Sequence, residues 1–361
     1  MARRPVTRQS PAFGFWAVAF AFLVVMMFAT LPSPLYGLYR TRDHLSALMI
    51  TVVFAIFAGG TITTLLGERY IAARFGRRGA MLGGVATMMV AAGLLAAWKA
   101  LPGLLIGRLL TGVAIGLAAG VAIPYLIELR LRADPDASTG GAQNLGTAVN
   151  VGALGIGPLP VPAAAATIAA FAASGLFAGL SGLILAATLH ETSHALSGAT
   201  LFLVFTAGVV AQLGTARLSA PRVLAFGTMS MIAGLVLLVV AVRLSAPSLA
   251  LFMIGGAFIG AGAGTVYKGT TGIVLQSTPP ENRVAVTSAL VIAVFVGLSV
   301  PVVGAGVALN EGASTASTVL GFAILVALGV SLSGWALRGR RPAGSQQATP
   351  PVAPATKELS P

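Results

Sequence analysis

The chain has 361 residues, of which 57% are hydrophobic and only 9% are charged, and its mean hydropathy is +0.93. A water-soluble domain carries about 25% charged residues, so this composition excludes an ordinary soluble globular protein. The apolar residues fall into runs of roughly 20, the length of a helix that crosses a hydrocarbon core about 30 Å thick. These runs lack the period-two alternation of membrane β-barrels, so the predicted fold class is an all-α, polytopic membrane protein.

The charge balance is strongly basic, with 22 Lys and Arg against 9 Asp and Glu and a net charge of +13. Nucleic-acid-binding proteins share such a balance, but they collect their basic residues in one groove or patch. Here the basic residues are dispersed among the short segments between apolar runs. The lipid bilayer is therefore the expected partner, and nucleic acid is not. The chain has no cysteine, which excludes disulfides and thiolate metal sites.

Eleven apolar runs between charged or proline-bearing breaks predict eleven spans. In chain order they cover residues 13–31, 46–66, 80–98, 103–126, 143–159, 163–189, 195–213, 223–242, 249–275, 284–309 and 318–337. The first run follows the basic segment 1–12, but it is longer than a signal-peptide core and no cleavage site closes it, so we interpret it as a retained span. Residues 339–361 are rich in Pro, Ala, Ser and Thr and predict a disordered cytoplasmic tail.

The basic residues predict which segments face the cytoplasm, because inner loops carry an excess of Lys and Arg. Sixteen of the 22 fall into one alternating set of segments: Arg3, Arg4, Arg8, Arg69, Arg74, Arg77, Arg78, Arg130, Arg132, Arg217, Arg222, Arg283, Arg338, Arg340, Arg341 and Lys357. The opposite set holds only Arg40, Arg42, Lys99 and Arg243. We predict a multi-pass protein of the plasma membrane with a cytoplasmic N-terminus.

Eleven crossings conflict with this orientation. Five spans from an inner N-terminus bring the chain outside near residue 160, whereas the basic segments at Arg222 and Arg283 require the span 163–189 to begin inside. One segment is therefore expected to be re-entrant or short, or a crossing is missing near residues 158–162.

Several segments resemble signatures of the major facilitator superfamily. The segment LLGERYIAARFGRRGAML is similar to the basic loop between spans two and three, although Ala73 stands where the family has Asp and Arg69 where it has Gly. The matching residues are Arg74, Gly76, Arg77 and Arg78. The segment LLIGRLLTGVAIGLAAG resembles the fourth-span signature, with Arg108, Gly112, Gly116 and Gly120 in register.

Two further segments carry the resemblance. NVGALGIGPLPVP is similar to the fifth-span antiporter signature through Gly157 and Pro158, with Val161 and Pro162 in place of the closing Gly-Gly. ATLPSPLYGLYR resembles the exit of the first span in drug-efflux-like members.

The resemblance implies twelve helices in two six-helix halves, a central substrate site and alternating access. In this chain it divides an N-terminal bundle, residues 13–160, from a C-terminal bundle, residues 163–338. Because the fifth-span motif runs directly into a segment similar to span seven, span six and the central linker are expected to be missing. That single deletion would explain both the eleven spans and the conflict in orientation.

Two basic residues lie within predicted spans. A charge there costs about 2.5–3.5 kcal/mol on insertion scales, so it normally faces a cavity or a partner. Arg108 is a candidate for the transport cycle or proton coupling, with pairing to polar backbone groups as the alternative. Lys268 suits an anionic substrate or proton exchange, with snorkelling towards the interface as the alternative. Tyr267 is a further candidate, on another face of the same helix.

All nine acidic residues lie in loops or at span ends: Asp43, Glu68, Glu128, Asp134, Asp136, Glu191, Glu281, Glu311 and Glu358. An exporter of cationic drugs usually trades protons through an intramembrane carboxylate, so the sequence favours a neutral or anionic substrate. Proton coupling stays open, and no cofactor is expected. Asn144, Asn150 and Gln212 are neutral polar candidates, equally suited to holding helices together.

The basic loop is the candidate conformational motif. The resemblance implies that Glu68, Arg74, Gly76, Arg77 and Arg78 latch the two halves, and their alternative role is to set the topology. Gly112 and Gly116 belong to the same predicted set, as sliding contacts or as plain packing positions. Gly157 and Pro158 belong to it through the fifth-span signature, and Pro158 is expected to kink its span.

The sequence therefore predicts a monomeric secondary transporter of a small molecule, drug-efflux-like and working by alternating access. The alternative is an internally deleted transporter remnant that acts as a membrane scaffold. His44, His190 and His194 form no ligand-like cluster, so no metal site is expected. No nucleophile arrangement or phosphate-binding loop is present, so an enzyme is not expected.

Overall fold

The computed structural model describes residues 11–133 and 159–338. These residues form ten α-helices and two short 3₁₀ turns, Ser33–Leu35 and Pro280–Asn282. The helices are α1 (Pro11–Met27), α2 (Tyr36–Asp43), α3 (Ala47–Ala97), α4 (Leu101–Ala133), α5 (Val161–Thr188), α6 (His194–Gly214), α7 (Ala220–Arg243), α8 (Leu249–Gln276), α9 (Arg283–Asn310) and α10 (Thr315–Arg338). The described part of the chain contains no strand, and nine of its helical segments are long and apolar enough to cross a membrane. The all-α, polytopic membrane fold is therefore confirmed.

Most predicted spans agree with the helices to within a few residues. Three helices begin where a serine hydroxyl accepts a hydrogen bond from the backbone amide three residues later: Ser46 before α3, Ser193 before α6 and Ser248 before α8. Such caps satisfy amides that have no partner inside the helix. The largest differences are at α4, which continues to Ala133 although the apolar run ends at residue 126, and at the segment Ala73–Ala97 of α3, which begins seven residues before the predicted span 80–98.

Several predictions fall on residues that the structure does not describe. The predicted span 143–159 lies almost entirely among them, as do the N-terminal segment up to residue 10 and the tail. The proposed loss of span six, with the boundary between the two bundles, therefore stays a prediction.

The helix α3 contains two membrane-length segments, Ala47–Gly67 and Ala73–Ala97, which we call its first and second arms. Near the start of the second arm, Gly76 has φ 67° and ψ 171°, a conformation that is essentially restricted to glycine. The second arm runs antiparallel to α4, since Gly84 packs beside Leu117 while Gly107 packs beside Leu95. The chain therefore reverses direction at the basic loop, as the span prediction required.

The contacts between helices define two ends of the bundle. We call one the Gly76 end, after the turn that follows the first arm of α3. We call the other the Asp43 end, after the last residue of α2, which lies just before the first arm begins. The first arm, α4, α6 and α8 run towards the Gly76 end, whereas α5, α7 and α9 start there. Seven arginines of the predicted inner set cluster at that end: Arg74, Arg77, Arg78, Arg217, Arg222, Arg283 and Arg338. Seven of the sixteen residues of the predicted inner set therefore lie at one end of the described bundle, and their orientation towards the cytoplasm stays a prediction.

The two tightest helix crossings use glycine in the same way. At Gly112 of α4 an added Cβ would collide with the carbonyl oxygen of Phe57, on the first arm of α3. At Gly260 of α8 it would collide with the carbonyl oxygen of Val204, on α6. One turn later, Gly116 and Gly264 repeat each contact, with an added Cβ 2.9 Å from the Thr61 oxygen and 2.7 Å from the Gly208 oxygen. Backbones therefore touch directly at both crossings.

The helix α5 occupies the centre of the described bundle. In its most apolar window 83% of the residues are buried, against 28% for α6. It packs against α6, α8, α9 and α10, and it also contacts α2 and α3. Its many alanines and glycines allow these neighbours to approach closely: Gly175 meets the backbone of Leu298, and Gly179 lies between Val302 and Phe54.

We expect Gly112→Ala and Gly260→Ala to destabilise the protein by about 1–3 kcal/mol each, because the new methyl group must displace backbone. Thermal unfolding of the purified protein in detergent would measure this as a lower Tm. Gly59→Ala and Gly321→Ala are matched controls, since both positions are helical and have nothing within 4 Å of an added Cβ. Equal Tm values for all four variants would contradict the tight crossings.

Candidate functional site

Arg108 is completely buried on α4, seven residues after the helix begins at Leu101 and therefore about 10 Å from that end. Its guanidinium donates hydrogen bonds to two backbone carbonyls, at 2.9 Å to Ala29 and at 3.4 Å to Phe54. Ala29 lies in the turn that follows α1, where the helix can no longer supply donors. Arg108 therefore ties the end of α1 and the first arm of α3 to α4.

Aromatic faces surround the same guanidinium. Its central carbon lies 4.7 Å from the ring centroid of Phe57 and 5.7 Å from that of Phe54, so both rings contribute cation–π attraction. Phe57 in turn packs edge-on against Phe295 of α9, with ring centroids 6.0 Å apart. The charge thus lies beside the contact between α3 and α9.

No carboxylate neutralises Arg108 in the part of the chain that the structure describes. The ion pair found there joins Arg42 and Asp43 at 2.6 Å, at the exposed end of α2. Hydrogen bonds from Arg42 also lower the pKa of Asp43, which keeps that carboxylate ionised and paired with Arg42. A fully buried cation with only carbonyl and aromatic partners is costly. A role in transport stays a prediction for Arg108, and its bonds to backbone carbonyls are the pairing given above as its alternative role.

Two hydroxyl side chains near Arg108 were not predicted as site residues from the sequence. Ser33 and Tyr36 lie in the segment between α1 and α2, and their side chains are 4% and 3% exposed. The Tyr36 hydroxyl lies beside Ser33 and close enough to Arg108 for an electrostatic interaction. The signal was present in the segment ATLPSPLYGLYR, which has polar residues inside an apolar context, but its fold could not be read from periodicity.

Lys268 is half-buried on α8, about 12 Å before the helix ends at Gln276. Its ammonium donates to the backbone carbonyl of Gln212 at 2.6 Å and to the hydroxyl of Thr215 at 3.3 Å. Both acceptors lie at the C-terminal end of α6, where carbonyls lack helical donors and the helix dipole favours a cation. Lys268 and Gln212, two predicted site residues, are therefore brought together.

Tyr267 faces away from Lys268, as the sequence predicted. Its ring packs edge-on against Phe171 of α5, with centroids 5.7 Å apart, whereas Lys268 points to α6. The two neighbours thus serve different helix contacts and do not form one binding surface.

Arg108 and Lys268 do not share a site either. Arg108 precedes the glycine crossing on α4 and lies towards the Asp43 end, while Lys268 follows the crossing on α8 and lies towards the Gly76 end. The other polar and motif candidates, Asn144, Asn150, Gly157 and Pro158, lie outside the described residues.

The basic loop presents its charges at the surface. Arg74 and Arg78 are exposed, Arg77 is half-buried, and Gly76 supplies the positive φ of the turn. The backbone of Glu68 lies in the helix that leads into this turn. A latch between the two halves remains a prediction for these residues.

A cavity of about 280 Å³ lies elsewhere, between α1 and the second arm of α3. Its walls are entirely apolar, from residues such as Phe20, Val24 and Met88, and none of the predicted site residues lines it. Among the described side chains, no group of three or more His, Cys, Asp or Glu is placed to hold a metal ion.

Part of the chain matches the model of a known protein family. Residues 13–130, about a third of the chain, match the model of the sugar (and other) transporter family. This range covers α1, α2, α3 and nearly all of α4, and it includes Arg108 and the basic loop. No curated protein matches the chain.

We expect Lys268→Gln to lower the Tm by a few degrees, because the last-turn carbonyls of α6 lose a charged donor and glutamine is too short to replace it. Lys99→Gln is the matched control, since Lys99 is exposed beyond the end of α3. Thermal unfolding in detergent compares the two variants. A Tm unchanged by Lys268→Gln would show that the contact adds nothing to stability.

Proposed function

We propose that the chain is a secondary active transporter that moves a small molecule across a membrane by alternating access. The match of residues 13–130 to a transporter family supports transport, and the confirmed membrane fold supports the site of action. The observation that carries the proposal is the buried, carboxylate-free Arg108 at the junction of two helix groups. Burying such a charge without a carboxylate is costly even with its two hydrogen bonds to backbone carbonyls, and charges within spans are typically retained for function.

The described helices form two groups that meet through a small set of side chains. The first group, α1–α4, is held by the crossings of α4 with α3 and by its contact with α1; the second, α5–α10, is held by the contacts of α8 and α5 with their neighbours. Between the groups, the first arm of α3 packs against α9, and α5 also contacts α2 and α3.

Three contacts close the two groups against each other towards the Asp43 end. Thr51 packs against Gly306, Phe54 lies beside Gly179, and Phe57 packs against Phe295. They follow one face of the first arm, at positions three residues apart. Side chains make these contacts, whereas backbone meets backbone at the crossings within each group, so the groups are suited to separate as rigid bodies here.

We further propose that transport is directed outwards from the cytoplasm and that the Gly76 end faces the cytoplasm of a cell with this protein in its plasma membrane. The arginines clustered at the Gly76 end support the orientation. The resemblance of the segment that contains Ser33 and Tyr36 to drug-efflux-like members supports the direction. Lys268 and Tyr267 are retained as substrate or coupling candidates of the second group.

A disulfide across the two groups tests alternating access. The chain has no cysteine, so Thr51→Cys with Gly306→Cys introduces a single pair, whose Cβ atoms would lie about 3 Å apart. We expect oxidation to stop the release of a broad panel of fluorescent and radiolabelled compounds from proteoliposomes, because the Asp43 end can no longer open. Reduction should restore it.

The matched control is a disulfide inside the first group, Gly84→Cys with Leu117→Cys, where an added Cβ on Gly84 would lie 3.3 Å from that of Leu117. Its oxidation should leave transport unchanged, since both residues move together. Loss of transport in both pairs, or in neither, would contradict movement between the groups. Absence of flux for every compound in the unmodified protein would overturn the proposed function itself.

A further inference from the structure

Three buried polar atoms in α4 and in the segment after α1 make no hydrogen bond of good geometry, although the hydroxyls of Tyr36 and Ser33 lie beside each other. They are the Nε of Arg108, the hydroxyl of Tyr36 and the hydroxyl of Ser33. Buried polar groups are almost always hydrogen-bonded, because leaving one unpaired costs about 1–3 kcal/mol. Isolated cases occur elsewhere in the bundle, as at Ser299 and Thr318. Here, however, two adjacent hydroxyls lie within electrostatic range of a third such group, which belongs to a charged side chain.

We propose that Arg108, Tyr36 and Ser33 form the binding site for the carboxylate of an organic monoanion. The inference rests on the proposed function in so far as this anion is the transported substrate. The site itself is argued from the donors alone.

The charge of the site fits one negative charge. Arg108 is a single cation, and the described residues around it supply carbonyls, aromatic rings and hydroxyls but no carboxylate. A bound monoanion would neutralise the guanidinium and remove the cost of burying it unpaired. A dianion would leave one negative charge without compensation in the same apolar surroundings.

The free donors fit two oxygens that share that charge. The guanidinium has five N–H groups. Two of them donate hydrogen bonds to described backbone carbonyls. The Nε proton is left to donate, and the adjacent hydroxyls of Tyr36 and Ser33 supply at least one more proton, while a carboxylate accepts up to about four hydrogen bonds through its two oxygens.

The walls of the site favour an organic anion over a bare inorganic ion. The rings of Phe54 and Phe57 lie against the guanidinium, and Phe57 leads on to Phe295 in the second group. A hydrocarbon body attached to the carboxylate could pack against these rings and gain from burial. A bare inorganic anion would present no apolar surface to them.

The position of the site between the groups gives it a route to solvent. Ser33 lies in the Ser33–Leu35 turn, which packs against α5 and α6, and Pro34 of that turn is 3.7 Å from an added Cβ on Gly198. Separation of the groups at the Asp43 end would withdraw α5 and α6 from this turn. The site is thus occluded in the present arrangement and opens with the movement proposed above.

Binding to the full-length protein in detergent tests the proposal. The probes are radiolabelled acetate, butyrate and benzoate, each challenged with its unlabelled amide, with chloride and with inorganic phosphate. We expect at least one carboxylate to bind, with no displacement by its amide. Tyr36→Phe and Ser33→Ala should each weaken binding about tenfold, because each removes one hydrogen bond to a charged group.

Tyr39→Phe and Ser299→Ala are matched controls, since Tyr39 is buried on α2 but packs beside Arg42, and Ser299 is an unpartnered buried hydroxyl on α9. Both should bind the carboxylate like the unmodified protein, and all four variants should keep its elution profile. Failure of every carboxylate to bind, displacement by an amide or by chloride, or unaltered binding in both Tyr36→Phe and Ser33→Ala would overturn the site.

The same experiments distinguish failure of the carboxylate site from failure of the proposed transport function. Carboxylate binding that depends on Tyr36 and Ser33, without flux of any compound in proteoliposomes, would support the site and overturn transport. Flux of neutral compounds without carboxylate binding would overturn the site and support transport.

Discussion

Direct contact between helix backbones is the constraint on which the rest of this structure depends. In lipid there is no hydrophobic gain from bringing two apolar helices together, so association relies on close packing. Gly112 and Gly260 provide it, since any side chain there would collide with a carbonyl of the facing helix. The same device in both groups fixes α4 on α3 and α8 on α6, and these pairs carry Arg108 and Lys268.

The two intramembrane cations, Arg108 and Lys268, both donate hydrogen bonds to carbonyls at the end of a helix. A helix that ends within the bundle leaves carbonyls without donors, and lipid offers no water to satisfy them. Arg108 reaches the turn after α1, and Lys268 reaches the last turn of α6. The ammonium of Lys268 finds its hydrogen-bond partners in this role. The Nε of Arg108 has no partner, and that difference places the proposed anion at Arg108.

Much of the fold was predictable because lipid imposes a simple rule on sequence. A span must be apolar for about 20 residues, so α5 to α10 could be bounded to within a few residues. Gly76 and the basic residues beside it marked the reversal between the arms of α3. Prediction was less successful where this rule does not apply: α4 continues to Ala133 beyond its apolar run, and α2 is a short polar helix. Tyr36 and Ser33 were missed for the same reason.

The sequence by itself determined that the protein lies in a lipid bilayer and that its spans are helices. It also determined the sorting of arginines to one end and the residue types able to carry charge within the spans. These properties follow from composition and order along the chain. The tertiary structure alone decided which carbonyls Arg108 and Lys268 bind, that the two cations lie apart, and that Tyr36 and Ser33 stand beside Arg108. Such facts depend on how helices far apart in sequence cross, and crossing is set by packing in three dimensions.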